Sequence, residues 1–317
     1  LYIRMILTSF VLLILFIFTC MFFYYKSKYK FWSTQPVFHY YNIYYWLIYS
    51  GIILNSLPKK NEFYDEDIQL QEFDKLDENK VAIFVEFIKS NYLVHNVDDE
   101  SEFYRPTHDS IIDCFEKLSD TSFITFHYYK NKLITTLTSR PLLCTIDNRE
   151  ITTYYVDYLC VDQKFRKLGF AQKSIYSYYV NHCELLNSKD LVCLFKREDS
   201  KNIIVPLCSY KTFDYRIKDW ELYVELDKKY SVISYNQDTK TLFQDYIKNL
   251  KDKFKCFITT TQENIEILVN KGHIFITGVK EGDKLLGIYV FHDSYTFYEE
   301  QRSLEFIASY KDDNLIP

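Results

Sequence analysis

The stretch Tyr158–Ala171, YLCVDQKFRKLGFA, decides how this chain is read. Tyr158, Leu159, Cys160 and Val161 close the run EITTYYVDYLCV (Glu150–Val161), whose β-branched and aromatic residues mark a strand. Asp162-Gln163-Lys164 makes a polar turn, and Arg166-Lys167-Leu168-Gly169-Phe170-Ala171 opens a helix that continues over Ala171–Cys183. The first amides of a helix have no intrahelical acceptor and carry a partial positive charge, so they attract phosphate. Gly169 allows close approach of a ligand to the backbone, and Arg166 and Lys167 add charge. An ordinary strand–turn–helix with a basic cap has the same residues, so the segment by itself leaves both readings open.

Outward from it the chain alternates short elements of both kinds. SFITFHYY (Ser122–Tyr129) and KLITTLTS (Lys132–Ser139) are strands joined by the turn Lys130-Asn131, a hairpin pattern. ENKVAIFVEFIKSNY (Glu78–Tyr92) places Val81, Phe84, Val85, Ile88 and Tyr92 at helical spacing, and SIIDCFEKL (Ser110–Leu118) repeats it. Asp190–Phe195 reads as a further strand. Thr241–Leu250 and Gln262–Asn270 predict helices; Phe254–Thr260, His273–Thr277, Lys284–His292 and Ser303–Ser309 predict strands. Helices, a hairpin and then strands occur in both halves, which predicts an α+β or α/β fold with mixed sheets. Pro58–Gln71 (PKKNEFYDEDIQLQ) is charged and is expected to be a linker.

Composition narrows the function. Apolar residues at 48% and charged residues at 26% exclude global disorder, and a net charge of −5 argues against a nucleic-acid partner. With 6 Gly and 6 Pro, collagen-like and low-complexity architectures are excluded. The abundance of Tyr (30) and Phe (26) reflects AT-rich coding, as in a large DNA virus or a protist, rather than chemistry. The 8 cysteines include no CxxC pair and mostly sit in apolar segments, so they are read as reduced buried thiols, and no metal is expected.

Met5–Tyr25 (MILTSFVLLILFIFTCMFFYY) is uncharged and, at ~1.5 Å per residue, reaches ~30 Å, the thickness of a hydrocarbon core. It exceeds the roughly 7–15 residues of a signal-peptide core and no small-residue cleavage site follows, so residues 1–28 are expected to be a single-pass membrane anchor. Arg4 precedes it and Lys26, Lys28 and Lys30 follow, which by the positive-inside rule places the soluble part on the cytoplasmic side. Val37–Leu54, with His39 and Asn42 among its tyrosines, suits an interfacial segment, a lid over an apolar ligand or a buried aromatic layer.

Several of these residues carry a family resemblance. Tyr158–Ala171 resembles motif A of the GNAT acyltransferase superfamily, whose R/Q-x-x-G-x-G/A turn seats the pyrophosphate of coenzyme A. More narrowly, DYLCVDQKFRKLGFAQKSI (Asp157–Ile175) resembles the matching segment of the glycylpeptide N-tetradecanoyltransferases, or N-myristoyltransferases. YKFWSTQPV (Tyr29–Val37) is nearly identical to that family's YKFWxTQPV signature, which packs on acyl-CoA. FIKSNYL (Phe87–Leu93), the acidic run Asp98-Asp99-Glu100 before Phe103, KNKLITTLTSRPLLCTI (Lys130–Ile146), and Pro206, Cys208 and Tyr210 agree more weakly in order and spacing. The resemblance covers roughly Tyr29–Tyr210.

It implies a GNAT-like mixed sheet flanked by helices over residues 29–225, with an incomplete second GNAT-like lobe over 226–317, behind the transmembrane helix. It implies that the N-terminal glycine amine of a protein attacks the thioester of myristoyl-CoA, or another acyl-CoA, without a covalent enzyme intermediate. The main chain of Tyr158 and Leu159 would form the oxyanion hole, a contribution of ~3 kcal/mol per donor. The implied acyl-CoA contacts are Tyr29, Lys30, Phe31, Trp32, Asn91, Tyr92, Leu159, Cys160, Val161, Arg166, Lys167, Leu168, Gly169, Phe170 and Ala171; those to the peptide are Asp98, Asp99, Phe103 and Tyr210. Plain structural roles compete: a helix C-cap for Asn91, and an aromatic anchor at the membrane face for Tyr29–Trp32.

The chain also departs from the family. The peptide-floor pattern F-R-F-x-Y-S becomes Phe103-Tyr104-Arg105-Pro106-Thr107-His108, and CRYWHR becomes Cys208-Ser209-Tyr210-Lys211-Thr212-Phe213. The family's base is its own C-terminal carboxylate; Pro317 is not placed at that site, and no base is named. Two further functions stay open: a GNAT N-acetyltransferase using acetyl-CoA, and a membrane-anchored scaffold that binds without catalysis. A long acyl channel favours the first reading over acetyl transfer.

Overall fold

Lys130 (φ 49°) and Asn131 (φ 62°) are both left-handed, the backbone that a two-residue turn needs to close a right-twisted hairpin. They join β3 (Phe123–Tyr129) to β4 (Lys132–Ile146) at the centre of a six-stranded sheet. The structure, a computed structural model, describes residues 2–48, 51, 53, 56–92, 102–197, 203–217, 226–298 and 301–312. The chain divides into two compact units, one of Leu1–Phe63, Cys183–Asp190 and Lys196–Trp220, the other of Tyr64–His182, Leu191–Phe195 and Glu221–Pro317.

In the larger unit the first sheet runs β1 (Ile68–Glu72), β3, β4, β5 (Arg149–Val161), β6 (Cys193–Leu194), with β8 (Cys256–Thr259) also on β4. Only β5 and β6 pair in parallel, so the sheet is mixed. A helix covers each face. Phe84, Val85, Phe87 and Ile88 of α4 (Glu78–Asn91) pack with Ile124, Phe126, Leu133, Tyr158 and Cys160. On the other face Tyr178 and Ile175 of α6 (Phe170–Leu186) meet Phe123, Leu137, Tyr154 and Leu159. The alternation of 123 with 124 and 126 between the faces follows the period of two along a strand. The Asp77 carboxylate caps α4 by accepting from the Lys80 N–H at 2.8 Å.

A second sheet in the same unit runs β11 (Gln301–Lys311), β10 (Lys284–Tyr298), β9 (Ile274–Glu281), β7 (Tyr230–Ser234), with β2 (Glu102–Tyr104) added to β10. Phe243 and Leu250 of α7 (Lys240–Leu250) bury against Ile276, Leu285 and Ile288. Gly278 permits this, since a Cβ there would lie 2.6 Å from Leu285 Cδ1 and 3.0 Å from the Phe243 ring. The two sheets exchange strands: β2 comes from before the hairpin yet lies on β10, and β8 comes from the C-terminal half yet lies on β4. The turn Asp113–Phe115 that follows α5 (His108–Ile112) meets α8 (Gln262–Asn270) beside this exchange, where Asn264 donates to the Glu116 carbonyl at 2.8 Å.

In the smaller unit, α1 (Tyr2–Lys28) is long and apolar enough to cross a membrane by length and composition, and it buries no residue; a signal sequence near the N-terminus passes the same test. α2 (Lys30–Thr34) follows, with Phe31 buried between the rings of Trp32 and Phe63, at centroid distances of 4.9 and 5.1 Å. The first part of the aromatic segment forms α3 (Ile43–Leu47), while residues 49, 50, 52 and 54 lie outside the described residues.

The segment expected as a linker ends in β1: Ile68 is buried and pairs with His127, a signal hidden by the acidic residues around it. β4 runs past Pro141 to Ile146, beyond the expected end at Ser139. A proline is tolerated there because β3 stops pairing at Ser139 and β8 starts at Leu143, leaving no ladder partner on that side. β6 is only two residues long, and α5 gives way to a 3-10 turn over Asp113–Phe115.

Candidate functional site

The site begins with an irregularity in β5. Thr138 is opposite Asp157 and Thr136 is opposite Cys160, so β5 advances three residues where β4 advances two. This bulge places Tyr158 at φ 45°, a left-handed conformation that costs a non-glycine residue about 1–3 kcal/mol and clusters at functional sites. The strain is held by packing: the Tyr158 ring is buried, edge-on to Phe84 and Tyr92 at 6.0 and 5.3 Å. The bulge turns the Tyr158 N–H toward the Asp157 carboxylate, which accepts it at 2.8 Å. Pairing of β5 with β6 covers only Tyr154 and Tyr155, upstream of the bulge.

Beyond Val161 the Asp162 carboxylate organises the turn, accepting from the Lys164 N–H at 2.9 Å and from Lys132 Nζ at 2.5 Å. Burial opposes its ionisation, but these two donors outweigh burial and hold its pKa below the usual carboxylate value. Lys167 (φ 63°) and Gly169 (φ 87°) are both left-handed, and they swing the chain into α6, whose first intrahelical bond is from the Lys173 N–H to the Gly169 carbonyl at 3.1 Å. The amides of Phe170, Ala171 and Gln172 therefore precede that bond, at the positive end of a 17-residue helix. Arg166 donates to the Val161 and Asn91 carbonyls at 3.2 and 2.6 Å. The Asn91 side-chain amide donates back to the Phe87 carbonyl at 3.0 Å. Together they tie the end of α4 to the strand–turn–helix, so the guanidinium braces the turn as well as charging it.

Neither a protein-family model nor a curated protein sequence matches the chain. Among solved structures, Saccharomyces cerevisiae N-myristoyltransferase with bound myristoyl-CoA is similar at a TM-score of 0.60 and 14% identity, over 84% of this chain and 70% of that one. A second structure of the yeast enzyme, with bound myristoyl-CoA and inhibitors, gives 0.62 and 13%, over 89% and 73%. The fold is N-myristoyltransferase-like. At this identity the likeness shows the fold alone, a mixed sheet flanked by helices.

Within that fold the larger unit brings together Asn91 and Tyr92, the main chain of Tyr158, Leu159, Cys160 and Val161, and Arg166 to Ala171. Burial pushes the Cys160 thiol up to about 12, leaving it an inert core group. Leu168 is exposed, and Phe170 packs on His127 at 5.4 Å. Phe103 stands opposite Phe297 in the pairing of β2 with β10. Tyr29, Lys30, Phe31 and Trp32 belong to the smaller unit, where the Trp32 ring carries the Arg197 guanidinium at 4.9 Å. Tyr210 is exposed in the same unit, and Asp98 and Asp99 lie outside the described residues.

Three groups in this region were given no part in the acyl-transfer site from the sequence. Asp157 is the first. Arg140 is the second: it pairs with Tyr155 two residues along from Thr138 and Asp157, and so shares their face of the sheet. Its guanidinium lies over the Tyr155 ring at 5.3 Å, and its Nε is buried without a hydrogen-bond partner. His292 of β10 is the third. Burial lowers its pKa and the Arg140 charge adds to that, with Glu305 and Asp157 opposing, so the imidazole is neutral at neutral pH. An acidic residue inside a run of Thr, Tyr and Val was the available signal for Asp157.

The ligand atoms of Asp65, Asp67 and His127 lie within 4.8 Å of one another. Asp65 already holds Lys173 at 2.9 Å and the Asp67 N–H at 3.1 Å, so a cation there would compete with an ammonium. A cavity of about 330 Å³ is lined by Cys144, Ile151, Tyr235, Gln244, Ile247 and Phe257, and includes none of residues 158–171.

Proposed function

We propose that the protein is an acyl-CoA-dependent N-acyltransferase that passes a myristoyl group to the N-terminal glycine of a protein. The observation that carries this reading is the bulge at Tyr158, strained and turned out of the ladder, immediately before a basic turn that feeds the N-terminus of α6. The amides of Phe170 and Ala171, with Lys167 beside them, would hold the pyrophosphate, and Gly169 would let it approach. The Tyr158 and Leu159 main chain would receive the thioester oxygen, where charge grows as the amine attacks. The near-identity of Tyr29–Val37 to the YKFWxTQPV signature supports a fatty rather than an acetyl donor. α1 would hold the enzyme at the cytoplasmic face of a membrane, supported by Lys26, Lys28 and Lys30 after the apolar stretch.

One observation favours a second reading, a scaffold that binds acyl-CoA without turnover: the Tyr158 amide is already bonded to the Asp157 carboxylate. A single experiment separates the two. The full chain in detergent is incubated with acyl-CoAs of graded length and a glycine-initiated peptide, and the peptide is weighed. A gain of one myristoyl group with release of coenzyme A supports the first reading, and an acetyl gain redirects it to acetyl transfer. Binding without any gain supports the scaffold.

A further inference from the structure

We propose that Asp157 is the base that takes the proton from the attacking amine, an inference that rests on the acyltransferase reading. An α-amine has a pKa of about 7.7–8.0, so it arrives largely as an ammonium ion and has to lose a proton before it can attack. The acceptor must lie within hydrogen-bonding reach of the reacting nitrogen. Asp157 meets this condition through the bulge. Its carboxylate touches the Tyr158 amide at 2.8 Å, the donor that the thioester oxygen would occupy. An incoming thioester displaces that oxygen, and a side chain this short remains beside the acyl carbon after one rotation about Cα–Cβ. The carboxylate that caps the amide in the empty site thus becomes a partner for the ammonium in the filled one.

The surroundings leave few other acceptors. Tyr92 from the end of α4, Tyr104 from β2, Cys114 after α5, Tyr158 itself and His292 from β10 all feel the Asp157 charge, and Arg140 shares its face of the sheet. Burial raises the four phenol and thiol groups, Tyr104 and Cys114 to about 12, so they stay protonated at neutral pH and cannot accept. Arg140 is a permanent cation. Of the groups named, the neutral His292 imidazole is the one rival, and the Tyr158 amide is bonded to Asp157.

The step balances. The ammonium gives one proton to Asp157, and the free amine forms a C–N bond to the thioester carbon. The carbonyl pair moves onto oxygen at the Tyr158 amide. Collapse breaks the C–S bond, and the second nitrogen proton passes to the departing thiolate. Coenzyme A leaves as the thiol and Asp157 returns its proton to water.

The test compares the full chain with Asp157→Asn, Asp157→Ala and His292→Gln, measuring turnover against pH and myristoyl-CoA affinity. Asp157→Asn keeps an acceptor for the Tyr158 N–H, so affinity should stay within about twofold while kcat falls roughly 100-fold to 1,000-fold at neutral pH. Its residual rate should climb about tenfold per pH unit toward the amine's own pKa, and formate or acetate should partly restore Asp157→Ala. Wild-type turnover and pH profile in Asp157→Asn overturn the proposal. So does an Asp157→Ala enzyme faster than wild type, which would make the carboxylate a plug. Loss of the pH profile in His292→Gln alone overturns it in favour of the imidazole. Wild-type protein that binds myristoyl-CoA but acylates no amine overturns the acyltransferase reading, and the base with it.

Discussion

Gly169 and Tyr158 are both left-handed, yet they were not equally legible. At Gly169 the residue type announces the conformation, and the basic pair before it announces the ligand. A Cβ at Gly169 would meet nothing nearer than Gln172 Oε1 at 3.8 Å, so substitution is a matter of backbone strain rather than of space. Gly169→Ala should therefore cost about 1–2 kcal/mol, read as a lower urea midpoint, and should weaken myristoyl-CoA binding if the turn seats the pyrophosphate. An unchanged affinity at full stability would remove the turn from the site. Tyr158 gives no such notice, since an aromatic residue at positive φ is what a strand sequence argues against. The same holds for Asp157, whose role depends on where the bulge turns an amide. Arg166 was legible as charge but not as a brace. Because it holds the Asn91 and Val161 carbonyls, Arg166→Ala should lower both stability and myristoyl-CoA affinity, whereas loss of affinity alone would mean that only its charge matters.

At the scale of elements, patterns of period two and 3.6 located the hairpin, β5, α4, α6, α7 and α8 closely. They missed β1, β2 and β7, which are five residues or fewer, and they could not see that Pro141 sits beside a gap in the ladder. The junction of β5 with α6 hangs on Asp162, which takes Lys132 from the start of β4 and the Lys164 amide from its own turn. Its folded pKa lies below the unfolded value of about 3.9. Stability from this group is thus complete above about pH 4 and is lost as the pH falls through the lower folded pKa. Urea midpoints measured from neutral to acid pH should drop along that limb in wild type and drop less in Asp162→Asn, which starts from a lower plateau. Parallel curves for the two proteins would show that Asp162 does not couple protonation to folding. α7 makes a packing prediction of another kind. Gly278→Val puts carbon against Leu285 and the Phe243 ring and should destabilise by about 1–3 kcal/mol, read by the same titration.

Across the larger unit as a whole, what the sequence could not reveal is partner choice. Phe254–Thr260 reads as a strand, but nothing in it says that it pairs with β4, more than a hundred residues earlier, rather than with its neighbours. β2 likewise joins β10. With a strand of each half built into the other half's sheet, neither sheet is complete alone. The exchange is reinforced by a buried network: Asp113, beside α5, accepts from Lys271 Nζ at 2.6 Å and pairs with His273 at 2.7 Å, and His273 meets the Tyr295 hydroxyl at 2.6 Å. Asp113 is 2% exposed; removing it leaves the His273 imidazole with the Tyr295 hydroxyl and the half-exposed Lys271 with Glu116 at 3.9 Å, a loss of about 1–3 kcal/mol. Two architectures answer this mutation differently. If the halves were separate bodies held by the network, Asp113→Ala would split denaturation into two steps, because each sheet would then melt at its own midpoint. If the exchanged strands make one cooperative block, the midpoint should fall while the transition stays single, with near-UV circular dichroism of the tyrosines and far-UV circular dichroism coincident. The pairing of β8 on β4 and of β2 on β10 favours the second outcome, since melting either sheet removes a strand from the other.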